Sequence, residues 1–176
     1  MADRPEAPKW FTDALAAPRR ERFVEVEGCR IRYLSWGDAS KPGIVLVHGG
    51  AAHAEWWSFL APQLASQYHV VAPELSGHGD SGRREEYPRE VWAREVMAVA
   101  TDAAIVGAPM LVGHSLGGFV SIVAASLYGD RLAGAIIVDS PVRAARSRER
   151  RRARAAAPSA TPRPTPTSRP RSSISI

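Results

Sequence analysis

Four short, nearly unbroken apolar runs constrain this chain more than any other feature. They lie at residues 44–47 (IVLV), 69–75 (HVVAPEL), 110–115 (MLVGHS) and 132–140 (LAGAIIVDS). A strand with one wet face alternates apolar and polar side chains. An unbroken run is instead the pattern of a strand buried on both faces, as in a parallel sheet covered by helices. The intervening segments fit that arrangement. Residues 54–66 carry Trp57, Leu60 and Leu64 at helical spacing, with Pro62 implying a break or a late start. Residues 86–103 place Trp92, Val96 and Val99 on one stripe, with Pro88 suited to the first turn. A further helix opens directly at Leu116. Upstream, residues 22–27 and 29–35 do alternate, with Gly28 between them, which predicts a β-hairpin with one wet face. The order of elements predicts an α/β fold: a mainly parallel sheet with an antiparallel N-terminal hairpin and helices on both faces. No internal repeat is present, and 176 residues suffice for one domain with a sizeable core.

The junction of the third run with its helix carries the chemistry. Gly113-His114-Ser115-Leu116-Gly117 matches G-x-S-x-G, and it follows an apolar strand and precedes a helix, the context this motif requires. A nucleophile on a tight strand-to-helix turn has a strained, crowded backbone, so glycines two before and two after the serine meet a steric need. Gly118 allows still closer packing.

Two further blocks stand in order before it: Val47-His48-Gly49-Gly50, and Leu75-Ser76-Gly77-His78-Gly79-Asp80-Ser81-Gly82. Together the three blocks resemble the α/β-hydrolase superfamily, in its esterase, lactonase and cofactor-free haloperoxidase-like branch, over roughly residues 22–141. The resemblance implies acyl transfer: Ser115 attacks a carbonyl carbon of a small acyl substrate and forms an acyl-enzyme that water hydrolyses. It implies an oxyanion hole made by the backbone N–H of Leu116 with that of Gly50, or of Ala51. Serine rather than aspartate at 115 argues against the dehalogenase and epoxide-hydrolase branches, which use a carboxylate. No cofactor is implied. The triad acid follows from the family in either of two ways: Asp139, at the end of the fourth apolar run, or a residue one strand later.

The histidines are His48, His53, His69, His78 and His114, and none follows Ser115, although the family's triad runs in chain order Ser, acid, His. His48 and His114 sit beside glycines where histidine shapes the loop, and along an extended strand the side chains of His114 and Ser115 should diverge. His53 is expected in a loop, His69 at a strand edge, and His78 and Asp80 in a turn. His48 and His53 lack the Cys, His or Asp partners of a metal site. Trp56 and Trp57 are expected as wall or core residues after the oxyanion loop.

Residues 1–21, with Pro5, Pro8 and Pro18, are expected to form a loose lead-in, 22–142 the partial domain, and 143–176 a disordered Arg/Pro/Ser-rich tail. That tail holds ten Arg, no Lys and one acid, Glu149, so it carries +9 of the net +5 and the body carries −4. Nucleic-acid binding is therefore not expected of the body, and tail-mediated binding of polyanions is the runner-up function. The abrupt change at Arg143, with Arg but no Lys, favours a truncated or frameshifted hydrolase whose turnover is impaired. Such a chain would expose an apolar sheet edge and self-associate. Cys29 is the single cysteine, no run approaches a membrane span, and no signal-peptide pattern opens the chain, so a cytoplasmic location is expected.

Overall fold

Each apolar run forms a strand, and the strands lie side by side in a single sheet. In the computed structural model, which describes residues 6–141, the strands are β1 (Arg20–Val26), β2 (Cys29–Trp36), β3 (Pro42–Val47), β4 (His69–Pro73), β5 (Val106–His114) and β6 (Gly134–Val138). The helices are α1 (Lys9–Leu15), α2 (Ala61–Leu64), α3 (Arg89–Asp102) and α4 (Leu116–Tyr128), with 3₁₀ turns at Ala54–Trp57 and Gly129–Arg131. The strand order is β1-β2-β4-β3-β5-β6. β1 pairs antiparallel with β2, and β2 antiparallel with β4. β4, β3, β5 and β6 run parallel. The α/β class and the mixed sheet are as the sequence predicts. The expected disordered tail, residues 143–176, lies outside the described residues.

Side-chain alternation along β3 sends neighbouring residues to opposite faces. Val45 and Val47 join Leu111, Trp92, Val96, Val120 and Ala124 in a core beneath α3 and α4. Ile44 and Leu46 join Leu34, Val70, Ala54, Trp57 and Ala61 in a second core beneath the first 3₁₀ turn and α2. The connection leaving β3 therefore crosses one face, while those leaving β4 and β5 cross the other. The direction of winding reverses between β3 and β5, which are hydrogen-bonded neighbours. In an open α/β sheet that reversal leaves a crevice at the carboxyl ends of the two strands.

Two expectations are corrected. The lead-in is not loose throughout: α1 starts at Pro8, which caps it by position, and Phe11 packs near Phe59. Proline at a helix start supplies a preset φ rather than disorder. The hairpin has no wet face along β2, where every residue but Arg30 is buried. β2 is an interior strand, flanked by β1 and β4, and the charge of Arg32 is met inside by Glu74 at 2.7 Å. Residues 54–66 form a 3₁₀ turn and a one-turn helix with Pro62 in its first turn, so the break expected there lies just before the proline. No helix among the described residues is long and apolar enough to cross a membrane.

Candidate active site

The crevice between β3 and β5 is a cleft of about 530 Å³, bordered by Gly49–Ala52, His53, Glu55, Trp56, His114 and Ser115. Ser115 stands at its base. β5 ends at His114 and α4 begins at Leu116, so Ser115 alone makes the turn, with φ 51° and ψ −111°. A non-glycine residue held there stores about 1–3 kcal/mol of strain and persists only where its surroundings fix it. Both of its peptide groups are fixed. Its N–H donates to Val138 O (2.9 Å), and its carbonyl accepts from Gly118 N–H (3.0 Å) and from the Ser140 hydroxyl (2.8 Å).

The glycines follow from crowding. A Cβ at Gly113 would collide with Gly117 O, one at Gly117 with the carbonyl oxygens of Val47 and His48, and one at Gly118 with Ser140 Oγ. The close approach of Gly117 to the end of β3 brings α4 against the loop after that strand. Gly50 consequently lies 4.0 Å, by its ideal Cβ position, from the Leu116 side chain. The Leu116 N–H, at the first position of α4, has no acceptor within the helix. Ala51 takes a left-handed φ of 57°, bending the loop around the cleft, and Ala52 N–H closes the turn onto Gly49 O at 3.3 Å.

The loop is anchored by buried polar groups. His48 is fully buried; its Nε2 accepts from Leu75 N–H (3.1 Å), so Nδ1 carries the proton and donates to Gly49 O (2.7 Å). Burial pushes its pKa down to about 4, which keeps it neutral. It is a strut between β3 and β4, away from the cleft. Glu74, also fully buried, accepts from Arg32 (2.7 Å), Asp80 N–H (2.7 Å) and Ala54 N–H (3.3 Å). Arg32 reaches Glu21 and Glu55 as well, and the carboxylates of Glu21 and Glu74 hold its pKa above the ordinary value. Glu55 is gripped in turn by Arg19. The sequence reading missed Arg32, Glu74 and Ser140. The available signal was a charged residue inside an otherwise apolar run, as Glu74 is in HVVAPEL.

The remaining candidates separate. His114 and Ser115 were expected to diverge, yet both border the cleft, because alternation ends where Ser115 leaves extended geometry. No hydrogen bond joins their side chains among the described residues; His114 Nδ1 is buried without a partner there. Asp139, also left-handed at φ 50°, follows β6 with an exposed side chain whose Oδ2 is 4.0 Å from His114 Nε2. His53 caps the first 3₁₀ turn by position and stands half exposed at the rim, 4.0 Å from Glu74. His78 packs against His48 and the edge of Trp92, and Asp80 is exposed in the same turn. His69 is the first residue of β4 and is buried. Trp57 belongs to the core and Trp56 to the cleft wall. No three His, Cys, Asp or Glu side chains cluster for a metal among the described residues.

Comparison with known proteins agrees with this architecture. Residues 42–163 match the family model described as alpha/beta hydrolase fold, a span that continues past residue 141, where the sequence reading ended the resemblance. The chain is 35% identical over 102 residues to a pimeloyl-[acyl-carrier protein] methyl ester esterase of Edwardsiella ictaluri, covering 58% of this chain and 38% of that protein. It is 33% identical over 128 residues to epoxide hydrolase A of Mycobacterium tuberculosis, covering 69% of this chain and 38% of that one. Among solved structures, the thioesterase domain from the curacin biosynthetic pathway superposes with a TM-score of 0.66 at 29% identity, over 78% of this chain and 52% of that domain. The chain thus spans 38% of the length of each of these two curated relatives. The family match, the sheet order and the strand-to-helix turn agree, and the chain belongs to the alpha/beta hydrolase fold family.

Proposed function

We propose that this chain is a serine hydrolase acting on carboxylic esters or similar small acyl substrates through Ser115. The observation that carries the reading is the left-handed backbone of Ser115 at a strand-to-helix turn, which presents the residue to the cleft beside two loop-end amides. Ser115 Oγ forms a bond to the carbonyl carbon, the carbonyl π pair moves onto oxygen, and the hydroxyl proton leaves to a base. The N–H groups of Leu116 and Gly50, or Ala51, stabilise the oxyanion; one such donor is worth about 10²–10³ in rate. Collapse expels the alcohol, protonated as it leaves, and gives the acyl-enzyme. The esterase relative supports ester chemistry. The epoxide-hydrolase relative is discounted because its branch uses aspartate where this chain has Ser115.

All five histidines precede or adjoin Ser115, and none is hydrogen-bonded to it among the described residues. The reading therefore expects acylation by activated reagents and poor turnover, with Asp139 as the acid only if a base lies between it and the serine. The test is labelling with a p-nitrophenyl phosphonate, read by intact mass and peptide mapping. A single adduct on Ser115, absent in Ser115→Ala, is the expected result. Adduct formation unchanged in Ser115→Ala overturns the assignment.

A further inference from the structure

The two ring nitrogens of His114 face different surroundings. Nε2 lies 4.0 Å from Asp139 Oδ2, in the segment that follows β6. Nδ1 is buried and has no hydrogen-bond partner among the described residues. Gly49 and Ser115 stand at that inner edge. A Cβ built on Gly49 would lie 2.8 Å from His114 Nδ1 and 3.4 Å from Ser115 Cβ, so both atoms border one point. Glycine at 49 leaves that point without a side chain and lets the ring edge approach the serine. The ring itself is held. The Trp56 indole stacks on its face, 6.1 Å away with the planes 19° apart, and its backbone is fixed by the pairing of β5 with β6, opposite Val138. Ser115 is bonded through both peptide groups, but no hydrogen bond holds its hydroxyl among the described residues. Rotation about its Cα–Cβ bond therefore moves Oγ alone and breaks nothing.

Resting on the ester-hydrolase reading above, we propose that His114 is the general base of this site, accepting the Ser115 proton at Nδ1, and that Asp139 is the positioning residue behind Nε2. The tautomer follows from the surroundings. A carboxylate beside Nε2 favours the proton there, which leaves the Nδ1 lone pair for the serine hydroxyl. As Oγ bonds to the carbonyl carbon and the carbonyl π pair moves onto oxygen, the hydroxyl proton passes to Nδ1. The imidazolium so formed faces Asp139. On collapse, Nδ1–H gives that proton to the departing alkoxide and the ring is neutral again. Water then attacks the acyl-enzyme, its proton goes to Nδ1, and Nδ1–H returns it to Ser115 Oγ as the acid leaves. Contacts of this kind are long in a free site and tighten when substrate is bound, which fits the 4.0 Å spacing to Asp139.

The test is the rate of Ser115 labelling by the p-nitrophenyl phosphonate, followed by intact mass between about pH 5 and 9. It compares the natural chain with His114→Gln, His114→Ala and Asp139→Asn. In the natural chain the rate is expected to rise through a single ionisation as the ring loses its proton. Both His114 variants should lose that ionisation and react at least about 10-fold more slowly. Added imidazole should restore the rate in His114→Ala, which a misfolded protein could not show. Asp139→Asn should move the ionisation to lower pH, because the carboxylate that favours the charged ring is gone. Of the other titratable groups, His53 and Glu55 border the same cleft. An ionisation that persists in both His114 variants belongs to one of them and overturns the proposal. So does a His114→Gln protein that labels at the natural rate, or a His114→Ala protein that imidazole does not restore. A profile unmoved in Asp139→Asn overturns the role given to Asp139. No labelling of Ser115 in the natural chain removes the hydrolase reading and the base together, whereas labelling indifferent to His114 removes the base alone.

Discussion

Lowering the pH from 7.5 to 5 is expected to cost this domain about 2 kcal/mol of stability through one side chain, His48. In the folded chain its Nε2 accepts the Leu75 N–H and its Nδ1–H donates to Gly49 O. Protonation would place a proton on Nε2 facing another N–H, in a site with no exposure to water. Burial accordingly pushes the pKa down to about 4 from the ordinary 6.5. The folded state then binds fewer protons than the unfolded state across that window. The contribution is complete above pH 6.5 and is lost as the pH falls toward 4. Integrating the linkage relation between those two values gives about 2 kcal/mol by pH 5. The assay is urea unfolding at pH 7.5 and pH 5 for the natural chain and for His48→Asn, whose amide does not titrate. His69, also held below its ordinary value by burial, adds a drop of the same sign to both proteins and cancels in the comparison. His48→Asn is less stable at pH 7.5 but shows a smaller loss on acidification. An identical loss in the two proteins refutes the reasoning.

Three further changes test the remaining supports. Arg32→Met removes the 2.7 Å partner of a buried carboxylate and is expected to destabilise the domain by about 3–5 kcal/mol in urea unfolding; a loss under about 1 kcal/mol would mean Glu74 does not depend on it. Gly117→Ala drives a methyl group into the Val47 and His48 carbonyls, at an expected cost of about 1–3 kcal/mol together with slower phosphonate labelling of Ser115. A Gly117→Ala protein as stable and as reactive as the natural one would show that the close approach is not needed. Ile136→Lys places a charge on β6, where Ile136 is 52% exposed at the edge of the described sheet. It should lower self-association in size-exclusion chromatography with light scattering, and an unchanged profile would point to another surface.

The parallel strands were legible because their burial on both faces is written locally, as unbroken runs of Val, Ile and Leu. The turn at Ser115 was legible because its crowding demands glycines at fixed offsets, and glycine is visible in a sequence. The supports around it were not. Arg32 alternates with apolar neighbours and so reads as a solvent-facing residue, while the Glu74 that buries it lies 42 residues away. Ser140 looks like any polar residue after a strand, and only the fold brings its hydroxyl to the Ser115 carbonyl. His114 and Ser115 border the same cleft for a local reason: strand alternation stops at His114, because the serine after it has a positive φ. Charge and hydroxyl partners are long-range facts, and periodicity carries no information about them.

The strain at Ser115 shows what the last described strand contributes. A left-handed serine needs both of its peptide groups held, and the helix bonds only to its carbonyl, through the N–H groups of Gly118 and Phe119. The serine's own N–H goes to Val138, in β6, and a further bond to the carbonyl comes from Ser140, two residues further on. β6 therefore does more than widen the sheet: its end closes the turn from the side opposite the β3 loop. The same segment bends sharply at Asp139, whose left-handed φ follows directly on the strand and lets Ser140 double back to Ser115. The cleft residues and the groups that fix them thus lie between Arg19 and Ser140. On the proposed reading, the nucleophile and its oxyanion donors form one self-supporting unit, while the base is a separate requirement. Acylation of Ser115 and turnover are then distinct properties of this fold, and labelling and hydrolysis report on them separately.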